Sequence, residues 1–239
     1  MARKRTRPPL ELIGPEDNEG LHTPLSRARI TQAALQLLNE RGLKELSMRK
    51  VADALSVQTA SLYYHVQGKD QLLQLLTDKI SSEMDWPDPS LPWKVQLLSW
   101  GEQFRQVLGR YRDAAELFQA TIGLGYHRLT QIEKLYHMLA EAGFPDPQIP
   151  WIASMLKSYV LGFVAEETRF ATAATDSAST PDQLSEQYNE FYSRLSPEQF
   201  PHLIRLAPYT VNTDWQQEFD FGFRVLLDGL SQKLASDRS

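Results

Sequence analysis

The chain has 239 residues, 42% of them hydrophobic and 10% aromatic, with a formal net charge of −5 and no cysteine. Such a composition describes a globular protein with room for one large or two small domains, and the missing thiol excludes disulfides, zinc–thiolate centres and cysteine catalysis. The charge is unevenly spread: residues 1–80 carry 12 Lys and Arg against 9 Asp and Glu, residues 81–239 carry 13 against 21, so only the N-terminal part suits a polyanion.

The first 25 residues place Arg3, Lys4, Arg5 and Arg7 ahead of Pro8-Pro9 and an acidic stretch punctuated by Gly and Pro. This pattern predicts a flexible basic arm over 1–25, open either to a partner or to plain solvation. It lacks the apolar h-region of a signal peptide, and no run of 18 apolar residues occurs. A cytoplasmic protein without a membrane span is expected.

From Ser26, the spacing of Ile30, Ala33, Ala34, Leu37 and Leu38 predicts an amphipathic helix that stops at Gly42. Ser47 suits the cap of a second, short helix with Val51, Ala52 and Leu55 inward. Ser56-Val57 makes a turn, Gln58 to Val66 a third helix, and after Gly68 a longer one over 69–84 buries Leu72, Leu73, Leu76 and Ile80. Short helix, tight turn, short helix is a helix-turn-helix pattern, and it defines a domain over 26–84.

Pro87, Pro89 and Pro92 mark a boundary. Beyond it, residues 90–236 show no strand alternation; helical segments are expected at about 91–110, 113–121, 126–142, 149–172 and 214–236. The segment "TAATDSASTPDQ" reads as a flexible loop, with short helical pieces between 182 and 206. The fold class is all-α: a three-helix helix-turn-helix domain followed by a larger helical domain.

The second helix of a helix-turn-helix lies in the DNA major groove and turns its first residues to base edges. Here these are Gln58, Thr59, Ala60 and Ser61, whose short side chains can donate, accept or touch a thymine methyl. Tyr63, Tyr64 and His65 are consecutive, so they cannot share one buried face, and their polar tips suit sugar and phosphate. Gly68-Lys69 opens the next helix, where free amides and a cation suit another phosphate. Arg49 is placed for a phosphate or a guanine.

These residues carry a resemblance. "RITQAALQLLNERGLKELSMRKVADALSVQTASLYYHVQGKDQLL" resembles the DNA-binding domain of the tetracycline-repressor (TetR) family, with Leu62 to His65 and Lys69 as its most specific part. The resemblance implies operator DNA contacts at Arg49, Thr59, Ala60, Ser61, Tyr63, Tyr64, His65 and Lys69. Ser56 departs from the family, whose turn commonly holds glycine; a left-handed conformation there costs about 1 kcal/mol.

The C-terminal part is similar to the tetracycline-responsive members. "LGFVAEE" (161–167) and "FDFGFRVLLDGLSQKLA" (219–235) resemble their two long dimerisation helices, and Trp93, Phe104 and "AEAGF" (140–144) fall at compatible spacings. Phe219, Phe223, Leu226, Leu227, Leu230 and Leu234 give the last helix a wide apolar stripe. It is expected either in a four-helix homodimer interface or in the chain's own core.

The resemblance further implies a small-molecule effector cavity, with ligand-binding residues Trp100, Phe104, Phe118, Thr121 and Glu166. Glu166 matches a family glutamate and Thr121 a threonine, whereas the drug- and metal-binding asparagine and histidine fall on Trp100 and Phe118. Loss of polar ligands and gain of aromatic ones predicts a lipophilic or aromatic effector with no required cofactor and no protein-held metal. A Mg2+–tetracycline complex is the alternative, as is a DNA-binding regulator without any small-molecule effector.

His127 and His137 on one helix form only a weak metal pair. No nucleophile–base constellation, phosphate loop or carboxylate pair occurs, so an enzyme is not expected. The expected function is that of a homodimeric repressor released from a palindromic operator by its ligand, although activation is open on these residues.

Overall fold

The structure, a computed structural model, describes residues 25–210 and 214–237; the basic cluster of the N-terminal arm lies outside them. All regular elements among the described residues are helices. They fall into two compact units, one reaching Leu161 and one starting at Gly162, so the division lies within one long helix.

The first unit opens with α1 (Arg27–Arg41), capped by the Ser26 hydroxyl, which accepts the Arg29 N–H at 3.3 Å. Ile30, Thr31, Ala34, Leu35 and Leu38 are buried. The buried stripe is therefore rotated from the expected one. Ala33 and Leu37 are only half-buried, because α1 packs on both the second and the fourth helix.

The second helix, α2 (Met48–Ala54), is capped by Ser47. Its C-terminal turn closes with Val57 N–H to Ala52 O at 3.0 Å and Ser56 N–H to Asp53 O at 3.1 Å. This is a Schellman motif, which needs a left-handed residue at the position Ser56 occupies. Ser56 has φ 56°.

The third helix is shorter than its sequence predicts. Regular α-helix covers only α3 (Thr59–Leu62). Winding then tightens, with Tyr63 N–H bonded to Ala60 O and His65 N–H to Leu62 O, bonds of the 3₁₀ type. Leu62 and Val66 are fully buried and draw the chain in, so the three polar residues between them sit on a tight turn. The next helix, α4 (Lys69–Ser81), buries Leu72, Leu75, Leu76 and Ile80; the expected Leu73 is half-buried and Leu75 takes its place.

Three further helices, α5 (Trp93–Gly109), α6 (Ala114–Gln119) and α7 (Tyr126–Glu141), and the first part of α8 (Ile149–Asp176) complete this unit. The α4 helix packs on α6 and α7, and α5 packs on α6.

The second unit holds the rest of α8, then α9 (Pro181–Ser193), α10 (Pro201–Thr210) and α11 (Trp215–Asp237). Helix α8 continues through the first five residues of the predicted loop, and α9 takes its last three. The Thr172 and Thr175 hydroxyls bond back to carbonyls four residues earlier, at 2.8 and 3.0 Å, which lets a Thr-rich stretch stay helical. Only residues 177–180 connect to α9, which Thr180 and Gln183 start with a capping box.

The apolar stripe of α11 is spent inside the chain. Phe219 and Phe223 are fully buried, Leu227, Leu230 and Leu234 nearly so. Phe163 packs edge-on against Trp215 and Phe219. Large apolar groups left outside include Phe221 and Val225 on α11, and Trp151 and Met155 on α8, with Trp151 70% exposed.

The strained turn yields a direct expectation. Ser56→Gly should raise stability by about 1 kcal/mol, read as a higher urea midpoint at unchanged slope. Leu62→Ala should lower it by about 2–5 kcal/mol, since a fully buried leucine holds α3 to the other helices.

Candidate functional site

The residues singled out for DNA lie on α2, α3, the turn after it and the start of α4, and none of them is buried. Tyr64 is 89% exposed and Tyr63 53%; neither tyrosine serves the core. Arg49, Ala60 and Lys69 are exposed, while Thr59, Ser61 and His65 are half-buried. The Arg27 side chain donates to the His65 carbonyl at 3.0 Å, which ties the start of α1 to the turn that carries the tyrosines. No side chain caps the start of α4 at Gly68, and its first turn carries exposed Lys69 beside Asp70.

Two carboxylates join this cluster to the helices behind it. Asp113 Oδ2 accepts the Leu43 N–H at 2.8 Å. A Cβ on Gly42 would lie 2.7 Å from that oxygen, so this approach needs glycine. Next to it, Arg112 N–H reaches Asn39 Oδ1 at 3.0 Å and its guanidinium the Glu40 carbonyl at 3.3 Å. The start of α6 is thereby fixed to the end of α1.

Asp78, buried on the inner face of α4, provides the second tie. Its Oδ1 accepts the Arg128 N–H at 2.9 Å, and a Cβ on Gly125 would come within 2.2 Å of it. Burial pushes the Asp78 carboxyl above the usual carboxylate range, with the Arg128 N–H pulling the other way. Gln131 Nε2 adds bonds to the carbonyls of Ser81 and Met84 at 3.1 and 3.2 Å. The C-terminal half of α4 is thus stitched to α7.

Behind that seam lies a cavity of about 390 Å³. Trp100, Phe104 and Phe118 form an aromatic run along it, with ring centroids 5.6 and 5.5 Å apart. Met84, Ile132 and Leu135 add apolar wall, and Thr121, Arg128, Gln131 and Lys157 add polar groups. The Arg128 guanidinium stacks 4.8 Å from the centre of the Phe118 ring. It donates to Thr121 Oγ1 at 2.6 Å and to the carbonyls of Phe118 and Thr121 at 3.3 Å. Burial lowers its pKa to about 10, which leaves it cationic at neutral pH.

Trp100, Phe104, Phe118 and Thr121 therefore come together in one cavity. Glu166 is not among its lining residues: it belongs to the second unit, exposed, with its carboxylate 3.2 Å from Arg169. His127 is half-buried and His137 exposed. Among the described residues no three His, Asp or Glu side chains converge on a point. The lining offers neither imidazole nor carboxylate to a cation, so its residues do not fit a metal held directly by the protein.

Sequence reasoning did not single out Arg128, Gln131, Lys157, Asp78 or Asp113. For Asp78 a signal existed, a carboxylate in the inward row of Leu72, Leu75 and Leu76. For Arg128 none did, since an arginine on an amphipathic helix is ordinarily solvated.

Known proteins can now be set beside this geometry. Residues 30–76 match the model of bacterial regulatory proteins of the tetR family, and 86–234 that of the tetracyclin repressor-like C-terminal domain. An HTH-type transcriptional regulator of Saccharopolyspora erythraea is 32% identical over 218 residues, covering 91% of this chain and 89% of that one. The class D tetracycline repressor protein of Escherichia coli is 30% identical over 218 residues, 89% of this chain and 92% of its own. The crystal structure of the Streptomyces coelicolor TetR family protein ActR in complex with (S)-DNPA superimposes with a TM-score of 0.77 at 26% identity, covering 88% of this chain and 99% of that one. ActR has also been solved with actinorhodin.

The seam is open to test at Gly125. Gly125→Ala forces a methyl into the Asp78 carboxylate and should cost about 1–3 kcal/mol. Asp78→Asn in addition should not restore it, because the clash is steric. Thermal unfolding of the two variants beside the natural chain reads both effects.

Proposed function

Because the chain belongs to the TetR family of helix-turn-helix transcriptional regulators, and is a DNA-binding regulator and not an enzyme, we propose that it acts as a homodimeric cytoplasmic repressor released from a palindromic operator by a lipophilic, partly aromatic ligand. The observation that carries this reading is the aromatic cavity of about 390 Å³, joined to the DNA-facing cluster by Asp78 and Asp113. Its size lies within the usual range for small-molecule sites.

In this reading Thr59, Ala60 and Ser61 meet base edges, while Arg49, Tyr63, Tyr64, His65 and Lys69 hold the backbone. Trp100, Phe104, Phe118 and Thr121 grip the effector. A ligand that fills the cavity displaces α6 and α7, and with them the two carboxylate ties. Release follows to the extent that the ligand prefers the displaced conformer over the DNA-bound one.

Tetracycline with magnesium is a second reading, favoured by the 30% identity to a tetracycline repressor. The lining lacks a histidine or carboxylate for the ion, which weighs against it. Operator release by lipophilic aromatic compounds, with and without a chelator, separates the two: release by tetracycline alone, abolished by the chelator, would replace the first reading with the second.

Lys69→Ala should weaken all DNA sequences about equally and lower the slope of log affinity against log salt by about 0.9, measured by titration at several salt concentrations. A change of preferred sequence at unchanged slope would remove Lys69 from the backbone contacts.

For the homodimer, exposed Phe221 and Val225 are the informative positions, while Leu230 lies in the interior. Phe221→Glu should leave the monomer folded, abolish dimers in sedimentation, and lose the operator, whose half-sites should stand about 34–36 Å apart. Leu230→Glu should instead unfold the chain.

A further inference from the structure

We infer that the cavity takes a ligand bearing a deprotonated acid group, a carboxylate or an acidic enol or phenol, beside its apolar rings. This rests on the reading of the cavity as the effector site and deepens it by naming the ligand's chemistry.

The first ground is the sign of the lining. It holds two cations, Arg128 and Lys157, and no aspartate or glutamate. A pocket lined by one sign of charge concentrates ligands of the other.

The second ground is where Arg128 sits. Only 9% of the residue is exposed, yet its guanidinium donates to a hydroxyl and two carbonyls and to no carboxylate. Arginine is rarely buried unless paired with an anion. Asp78 compensates it only in part, because that carboxylate is spent on the Arg128 main-chain N–H, not on the guanidinium. The face of the guanidinium against Phe118 further sets it for a planar acid, which accepts two parallel N–H bonds.

The third ground is an unanswered acceptor. Gln131 Oε1 is buried with no hydrogen-bond partner, while Gln131 Nε2 is held by two carbonyls. The amide orientation is therefore fixed; Gln131 is one of the residues of the cavity wall, with its oxygen covered from solvent. Buried acceptors without partners are few in native proteins. A ligand O–H or N–H near the acid group would satisfy this one, so the preferred chemistry is a hydroxylated aromatic acid.

The test uses the full chain and isothermal titration calorimetry. The probes are 3-hydroxy-2-naphthoate and 6-hydroxy-2-naphthoate, each paired with its methyl ester, with 2-naphthoate and its ester as unhydroxylated controls. Each acid is expected to bind about 10- to 100-fold more tightly than its ester, the range of a hydrogen bond to a charged group. Arg128→Met should bring that ratio close to one, and Arg128→Lys should restore part of it. Gln131→Leu should remove the advantage of the hydroxylated acids over 2-naphthoate.

Should Arg128→Met fail to melt cooperatively, Arg128→Lys and the surface variant Lys157→Gln decide. A ratio unchanged in both overturns the inference. Acid and ester binding the natural chain equally would also overturn it and leave the effector cavity standing. If no probe binds in either form, the effector cavity itself is lost, and the inference with it.

Discussion

Much of the first unit depends on one buried carboxylate. Asp78 sits on the inner face of α4 among leucines, where an ionised group is costly unless it is hydrogen-bonded. What offsets that cost is a main-chain N–H of α7, presented at 2.9 Å because Gly125 leaves no side chain in the way. Removing such a partner from a buried acceptor costs about 1–3 kcal/mol. The tie therefore has two states, made or broken, with little between. Helix α4 begins at the outward-facing Lys69 and ends against the cavity wall at Ser81, so whatever disturbs α7 is felt along its length.

The Asp113 tie works in parallel and at a different point. It joins the left-handed residue before α6 to the end of α1, again across a glycine. Two struts from two helices, α6 and α7, hold one small cluster, and both helices contribute to the same cavity. A rigid head is the other requirement. Ile30, Leu38, Leu62, Val66, Leu72 and Leu76 are all fully buried, so α1 to α4 respond together and not one by one.

Short α3 has its own logic. One regular turn followed by tighter winding keeps Leu62 and Val66 inward and throws Tyr63 and Tyr64 out. Large aromatic groups exposed side by side carry a hydration cost that contact with another molecule relieves. On α11 the opposite holds. The obvious apolar stripe packs against Phe163 and its neighbours, and the surface that remains apolar is narrower, centred on Phe221 and Val225.

The sequence by itself determined the helical class, the start of the first helix at Ser26, the cap at Ser47, the turn at Ser56, and the exposure of Tyr63, Tyr64 and Lys69. These follow from local rules, 3.6-residue periodicity and short-range hydrogen bonds, which one segment of chain carries alone. A family resemblance added Trp100, Phe104, Phe118 and Thr121. Tertiary structure alone decided which of two apolar faces of α11 is interior, since both obey the same periodicity and only packing separates them. It alone revealed that Asp78, Arg128 and Gln131, fifty residues apart in part, share one seam. Burial and partner choice are set by where distant segments meet, and no local pattern in an arginine or glutamine foretells that it will line a cavity without an anion beside it.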